Sequence, residues 1–202
     1  QTASSPIHYS KTRINFRLAT RKMSSNKNQD ISVHFTKITP LPDPQHGTPC
    51  KRSSHGISYL PLNPPRLILI GGEHVARTPV EPSSQMVWSA DYIPDSSSWQ
   101  WRLLAPPTSS KENDTSETFP PTRVAHSQAC VNENVYIFGG RKGINMNESP
   151  LNDLWKFHAP TERWSRVIFS SDDDDASSNI PEERSFHKMI AVGTDLYVFG
   201  GC

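Results

Sequence analysis

The chain has 202 residues, of which only 34% are apolar and 18 are proline, so one globule using its whole length is not expected and part of it should be loop or disordered tail. Its 21 basic and 20 acidic residues leave a formal charge of +1, which provides no global field to draw in nucleic acid or an anionic membrane. No stretch approaches the ~20 apolar residues that span a bilayer.

Residues 1–30 carry Lys11, Arg13, Arg17, Arg21, Lys22 and Lys27, with no acid before Asp30. Three readings fit this bias among serines and threonines: an organellar transit peptide, a plain disordered basic tail, or translated upstream sequence with Met23 as the true start. The stretch lacks the apolar core of a secretory signal. A cytoplasmic protein is therefore expected, or an organellar one if the transit reading holds. Cys50, Cys130 and Cys202 lie 80 and 72 residues apart, so no pair has zinc-knuckle or redox-dithiol spacing, and free thiols are expected.

Ile31-Ser-Val-His-Phe-Thr-Lys-Ile-Thr-Pro40 alternates as a half-buried strand does and leads through a proline-containing loop towards Arg52. Next comes the first of three matching units, Arg52-Ser-Ser-His55 followed by Leu67-Ile-Leu-Ile-Gly-Gly72. Two further strands are expected in it, over Met86–Tyr92 and Trp99–Leu104, joined by the turn Pro94-Asp-Ser-Ser-Ser98. The second unit repeats the order: Arg123-Val-Ala-His126, Val135-Tyr-Ile-Phe-Gly-Gly140, Leu151–Phe157, a turn at Ala159-Pro-Thr-Glu162, and Trp164–Ile168. The third has Arg184-Ser-Phe-His187 and Leu196-Tyr-Val-Phe-Gly-Gly201. From arginine to first glycine the separations are 19, 16 and 16 residues. The short β-branched and aromatic runs before each glycine pair are those of strands buried on both faces, and prolines or turn clusters leave no helical window.

Four strands per unit, a glycine pair closing the second and a tryptophan opening the fourth resemble the kelch repeat, over roughly residues 31–202. The resemblance implies an all-β fold of kelch-type β-propeller blades. The units span about 52–104, 123–168 and 184–202, the last of them partial. Their glycine pairs recur after 68 and 61 residues, longer than the ~50 of a kelch repeat. The excess falls in Thr108–Pro120 and Ser170–Pro181, read as long loops between blades. Propellers typically have at least four blades, so the expectation is an incomplete propeller, truncated at the C-terminus, in which residues 31–38 would clasp the last blade and Phe35 would stand in for tryptophan.

His55, His126 and His187 recur at equivalent positions, but on neighbouring blades they are a blade apart rather than a ligand distance apart, so packing is expected over metal binding. Arg52, Arg123 and Arg184 are the candidate binding residues, placed by the repeat at the loop-to-inner-strand junction near the channel rim, where a cation can face an anionic ligand. Inter-blade ion pairs are the competing reading. Asp172–Asp175 reads as a solvated loop, because it lacks the glycine and distal glutamate of a calcium loop. No nucleophile elbow, phosphate loop or His-Glu-x-x-His is found.

Glu183–Met189 running into Tyr197–Cys202 is similar to the blade junction of plant specifier proteins, kelch relatives that act on glucosinolate aglucones with ferrous iron. Their iron ligands form a Glu-x-x-x-Asp-x-x-x-Cys pattern, which this sequence lacks. The expected function is a protein-interaction module that binds another protein through the loops 105–122 and 169–183, with no nucleic acid, membrane or cofactor. The alternative is the specifier enzyme with ferrous iron.

Overall fold

Alternating and continuous apolar runs broken by glycine and proline can bury themselves only as sheets, and the computed structural model of the chain is built that way. It describes residues 11–16, 31–80, 85–104, 119–143, 149–169 and 181–202. Among these there is no α-helix, and no helix long and apolar enough to cross a membrane. The chain divides into two compact units, residues 1–39 and 40–202.

In the first unit β1 (Lys11–Phe16) pairs antiparallel with β2 (Ile31–Thr36), Lys11 opposite Thr36 and Phe16 opposite Ile31. The expected strand at 31–38 is thus present over Ile31–Thr36. Its partner is Lys11–Phe16, inside the stretch read as a tail, where the short alternation ending in Ile14 and Phe16 was masked by the basic composition. The remaining residues of the 1–30 expectation lie outside those described.

The second unit holds the repeat. Blade 1 is the sheet β3 (Gly56–Leu60), β4 (Arg66–Ile70), β7 (Val87–Ile93) and β8 (Ser98–Leu103), in that order. A small hairpin, β5 (Glu73–Val75) and β6 (Thr78–Pro79), follows its glycine pair. Blade 2 is β9 (Ser127–Val131), β10 (Asn134–Phe138), β11 (Leu154–His158) and β12 (Arg163–Val167), and the third sheet is β13 (Lys188–Val192) with β14 (Asp195–Phe199). All pairings in these sheets are antiparallel. The expected turn at Pro94 is a 3-10 turn over Pro94–Ser96 closed by Ser97 in the left-handed region.

Burial explains why β10 reads as an unbroken apolar run. Val135 and Ile137 enter one core with Leu60, Ile68, Ile70 and Met86 of blade 1, while Phe138 enters another with Met189 of the third sheet. Blade 2 is therefore a layer sandwiched between blade 1 and the third sheet. Trp88 and Trp155 are fully buried, and each donates its indole N–H: Trp88 to the Gln85 carbonyl at 3.1 Å, Trp155 to Asp153 Oδ2 at 2.7 Å.

Candidate functional site

Register decides which segments share an end of the blades. Ser127 lies opposite Phe138, Phe138 opposite Leu154, and Leu154 opposite Val167. The Arg-x-x-His segment, the glycine pair, residues 139–143 and 149–153 and the exit of β12 therefore border one end, while the short turns at 132–133 and 159–162 border the other. Blade 1 repeats the pattern through Gly56–Ile70, Ile70–Val87 and Trp88–Leu103. Of the expected binding loops 105–122 and 169–183, residues 105–118 and 170–180 lie outside the described residues. Their starting points, Leu104 after β8 and Phe169 after β12, are on the glycine-pair side, whereas the Phe119 ring packs on Trp164 nearer the short turn.

The three candidate arginines share a local role. Each donates Nε to the carbonyl two residues before it, Cys50, Pro121 or Glu182, and Nη1 to the carbonyl of the first glycine of its own pair, Gly71, Gly139 or Gly200. The planar fork suits this double task. Arg123 is fully buried and also forms a bidentate pair with Asp153 at 2.7 and 2.8 Å, a pair within blade 2 rather than between blades. Burial pushes the Asp153 carboxyl up, but hydrogen bonding and charge from Arg123 outweigh it and its pKa is lowered. In blade 1 the Gln85 carbonyl takes the acceptor's place, at 3.4 Å from Arg52 Nη1. Arg52 and Arg184 keep part of their surface in solvent, unlike Arg123.

The histidines and glycines form the joints between blades. A Cβ on Gly71 would lie 2.6 Å from the Arg123 carbonyl oxygen and 2.8 Å from His126 Cε1; one on Gly139 would lie 2.6 Å from the Arg184 oxygen and 3.0 Å from His187 Cε1. With φ of +63° and +62°, both positions call for glycine twice over. The second glycine of each pair completes the joint, Gly72 donating to the Arg123 carbonyl at 3.0 Å and Gly140 to that of Arg184 at 2.9 Å. Nearer the inner strands, Phe186 donates to Ala125, and Ala125 to Ser54, at 2.9 and 3.0 Å. His126 and His187 are 7% and 2% exposed, and their ring nitrogens meet no hydrogen-bond partner among the described residues. Burial, then the positive charges of Arg123, His187 and His55, hold the His126 pKa down at about 3. Packing is thus the visible role of these rings, and no three His, Cys, Asp or Glu side chains among the described residues are placed to hold a metal.

Two further features had no signal in the repeat. Arg66, Asp91 and Arg102 of blade 1 meet Glu162 of blade 2 in an ion network, with Arg102 Nη2 2.6 Å from Glu162 Oε1 and Arg66 Nε 2.8 Å from Asp91 Oδ1. Residues 41–43 lie along the outer edge of β8. Leu41 bridges Gln100 in parallel, donating to Trp99 at 2.7 Å and accepting from Trp101 at 2.8 Å. Asp43 Oδ2 accepts the Leu103 N–H at 2.9 Å. That bond and those from Gln45 and His46 outweigh burial and lower the Asp43 pKa to about 2.

Comparison with known proteins agrees with this architecture. The family model described as the KLHDC2/KLHL20/DRC7 Kelch-repeats domain matches residues 22–202. Host cell factor 2 of Homo sapiens is 30% identical over 111 residues, which is 50% of this chain and 14% of that protein. Kelch repeat-containing protein 2 of Saccharomyces cerevisiae is 25% identical over 221 residues, 100% of this chain and 22% of that protein. The N-(sulfonatooxy)prop-2-enimidothioate sulfolyase of Thlaspi arvense is 37% identical over 83 residues, 41% of this chain and 21% of that protein. The match spans less than a quarter of each of these relatives.

Proposed function

Because this chain belongs to the kelch-repeat family through residues 22–202, we propose that it is a protein-interaction module whose partner, another protein, is held at the glycine-pair end of the blades. One observation carries the reading: the strands from which both long connections leave, β8 at Leu104 and β12 towards Phe169, end on the same side of rigid four-stranded sheets. Long polar loops on a rigid scaffold are where recognition is commonly found. The reading needs no cofactor, nucleic acid or membrane. Specifier chemistry, suggested by the likeness to the Thlaspi sulfolyase, would need an iron-binding donor set. The described residues offer none.

The test replaces 106–117 and 170–180 with glycine-serine linkers of equal length and compares the proteins retained from an extract of the source cells. A protein bound by the natural chain and lost by the exchanged one, at unchanged melting temperature, is expected. The same set retained by both would refute the loop face as the site.

A further inference from the structure

We propose that the entry to blade 1, Arg52 with the β5–β6 hairpin beside it, holds a carboxylate of an acidic segment of the partner protein; this rests on the interaction-module reading and names the partner's chemistry at that end. The chain itself shows how such an arginine is satisfied. In blade 2 the Arg123 fork closes on the Asp153 carboxylate, Nη1 and Nη2 donating at 2.7 and 2.8 Å. Among the described residues no carboxylate takes that place in blade 1. Arg52 donates Nη1 to the Gly71 and Gln85 carbonyls at 3.1 and 3.4 Å, and its Nη2 meets only Cys50 Sγ, at 3.3 Å. A thiol sulfur is a weak acceptor, so this edge of the guanidinium keeps unspent donor capacity, and it borders solvent because Cys50 is exposed. Burial lowers the Arg52 pKa, and Cys50 offsets this only in part, as for a cation drawn partly out of water without a counter-ion.

The hairpin is built onto the same entry. Ser53 and Glu73 exchange both backbone hydrogen bonds at 2.9 Å. Glu73 then fixes the turn, its Oε1 accepting the Ser54 hydroxyl at 2.8 Å and its Oε2 accepting the Arg77 N–H. After β6, Val80 is buried and donates to the Gly72 carbonyl at 2.9 Å. The turn is thus ordered before anything binds, which lowers the entropy lost on binding. His74, Val75, Ala76 and Arg77 are exposed, and the Arg77 guanidinium meets no carboxylate among the described residues. Across residues 50–55 and 71–80 the cations Lys51, Arg52 and Arg77 face the single carboxylate of Glu73. An acidic segment therefore meets complementary charge at both the base and the tip of the hairpin, and Val75, 56% exposed, offers it an apolar contact.

The probe is the synthetic peptide acetyl-Gly-Leu-Asp-Leu-Gly-amide, titrated to millimolar concentration into the 202-residue chain while the Arg52 Nε–H and Arg77 backbone N–H signals are followed by NMR. Both are expected to shift saturably. Asparagine in place of the peptide's aspartate should weaken binding about threefold or more, as should Arg77→Gln in the chain. Cys50→Asp gives Nη2 a carboxylate of the chain's own and should abolish the Arg52 shift without lowering the melting temperature. Equal binding of the aspartate and asparagine peptides, or undiminished binding by Cys50→Asp, overturns the inference. So does the absence of any shift; if exchanging 106–117 and 170–180 still costs the chain its retained protein, that result leaves the proposed function standing. A larger shift of the same signals with a single-stranded oligothymidylate than with the peptide would assign the site to nucleic acid, which also overturns it.

Discussion

His126 lies in the joint between blades 1 and 2, its ring buried against Gly71 and near the Arg123 guanidinium. Its neutral form is the one that packs, and its pKa falls from an ordinary 6.5 to about 3. The unfolded chain therefore binds a proton below pH 6.5 that the folded chain refuses until about pH 3. The contribution is fully present above pH 6.5 and is lost as pH falls through that window. Between pH 7 and pH 5 the natural chain should lose roughly 2 kcal/mol more stability than His126→Leu, at ~1.4 kcal/mol per pKa unit. Urea midpoints at the two pH values measure this; an equal loss in both proteins would remove His126 as the cause. The recurring histidine was legible in the sequence as a packing residue. Its blade-to-blade seat on glycine was not, because Gly71 and His126 are far apart along the chain.

At the scale of elements, the outer hairpin of blade 2 is fastened to blade 1 by Glu162, which accepts from both Arg66 and Arg102 while Asp91 holds the same two arginines from the other side. These side chains are partly exposed, between 21% and 39%, so solvent screens much of their attraction. Glu162→Gln keeps the left-handed backbone and the shape while removing the charge. It should cost about 1 kcal/mol at low salt and clearly less in 1 M sodium chloride, where the screening length shrinks to ~3 Å. A loss that does not depend on salt would mean that geometry rather than charge makes the contact. Element boundaries followed from the sequence to within a residue for β7 and β12, expected at Met86–Tyr92 and Trp164–Ile168 and found at Val87–Ile93 and Arg163–Val167. The β1–β2 pairing was not anticipated, since its alternation is short and set in a strongly basic stretch.

Within residues 40–202 the blades stack as layers, and the outer layers differ from the inner one. Tyr136 and Phe138 of β10 pack against the third sheet, whereas Tyr197 and Phe199, their counterparts on β14, are 54% and 83% exposed. Ile190, Val192 and Phe186 add to the same apolar surface, and Ile57 and Tyr59 expose another on β3. Contiguous apolar surface of this kind draws partners, including other copies of the chain. The 202-residue chain should bind a dye specific for exposed apolar surface under native conditions, and Phe199→Glu with Ile190→Lys should lower the signal without lowering the melting temperature. Absence of dye binding would mean that this face is covered in solution.

By itself the sequence determined the all-β class, the order of strands within the blades, and the Arg-x-x-His and glycine-pair motifs, because each answers a local demand: a two-sided apolar strand, a positive φ, a close backbone approach. Arg123 shows the limit. Its spacing placed it at a junction, but Asp153 and the Gly139 carbonyl, which decide that its charge serves the blade, come from elsewhere in the unit. Only the tertiary structure could bring Glu162 to Arg102 and Leu41 to the edge of β8, since the layering of blades sets those contacts and no spacing along the chain encodes them.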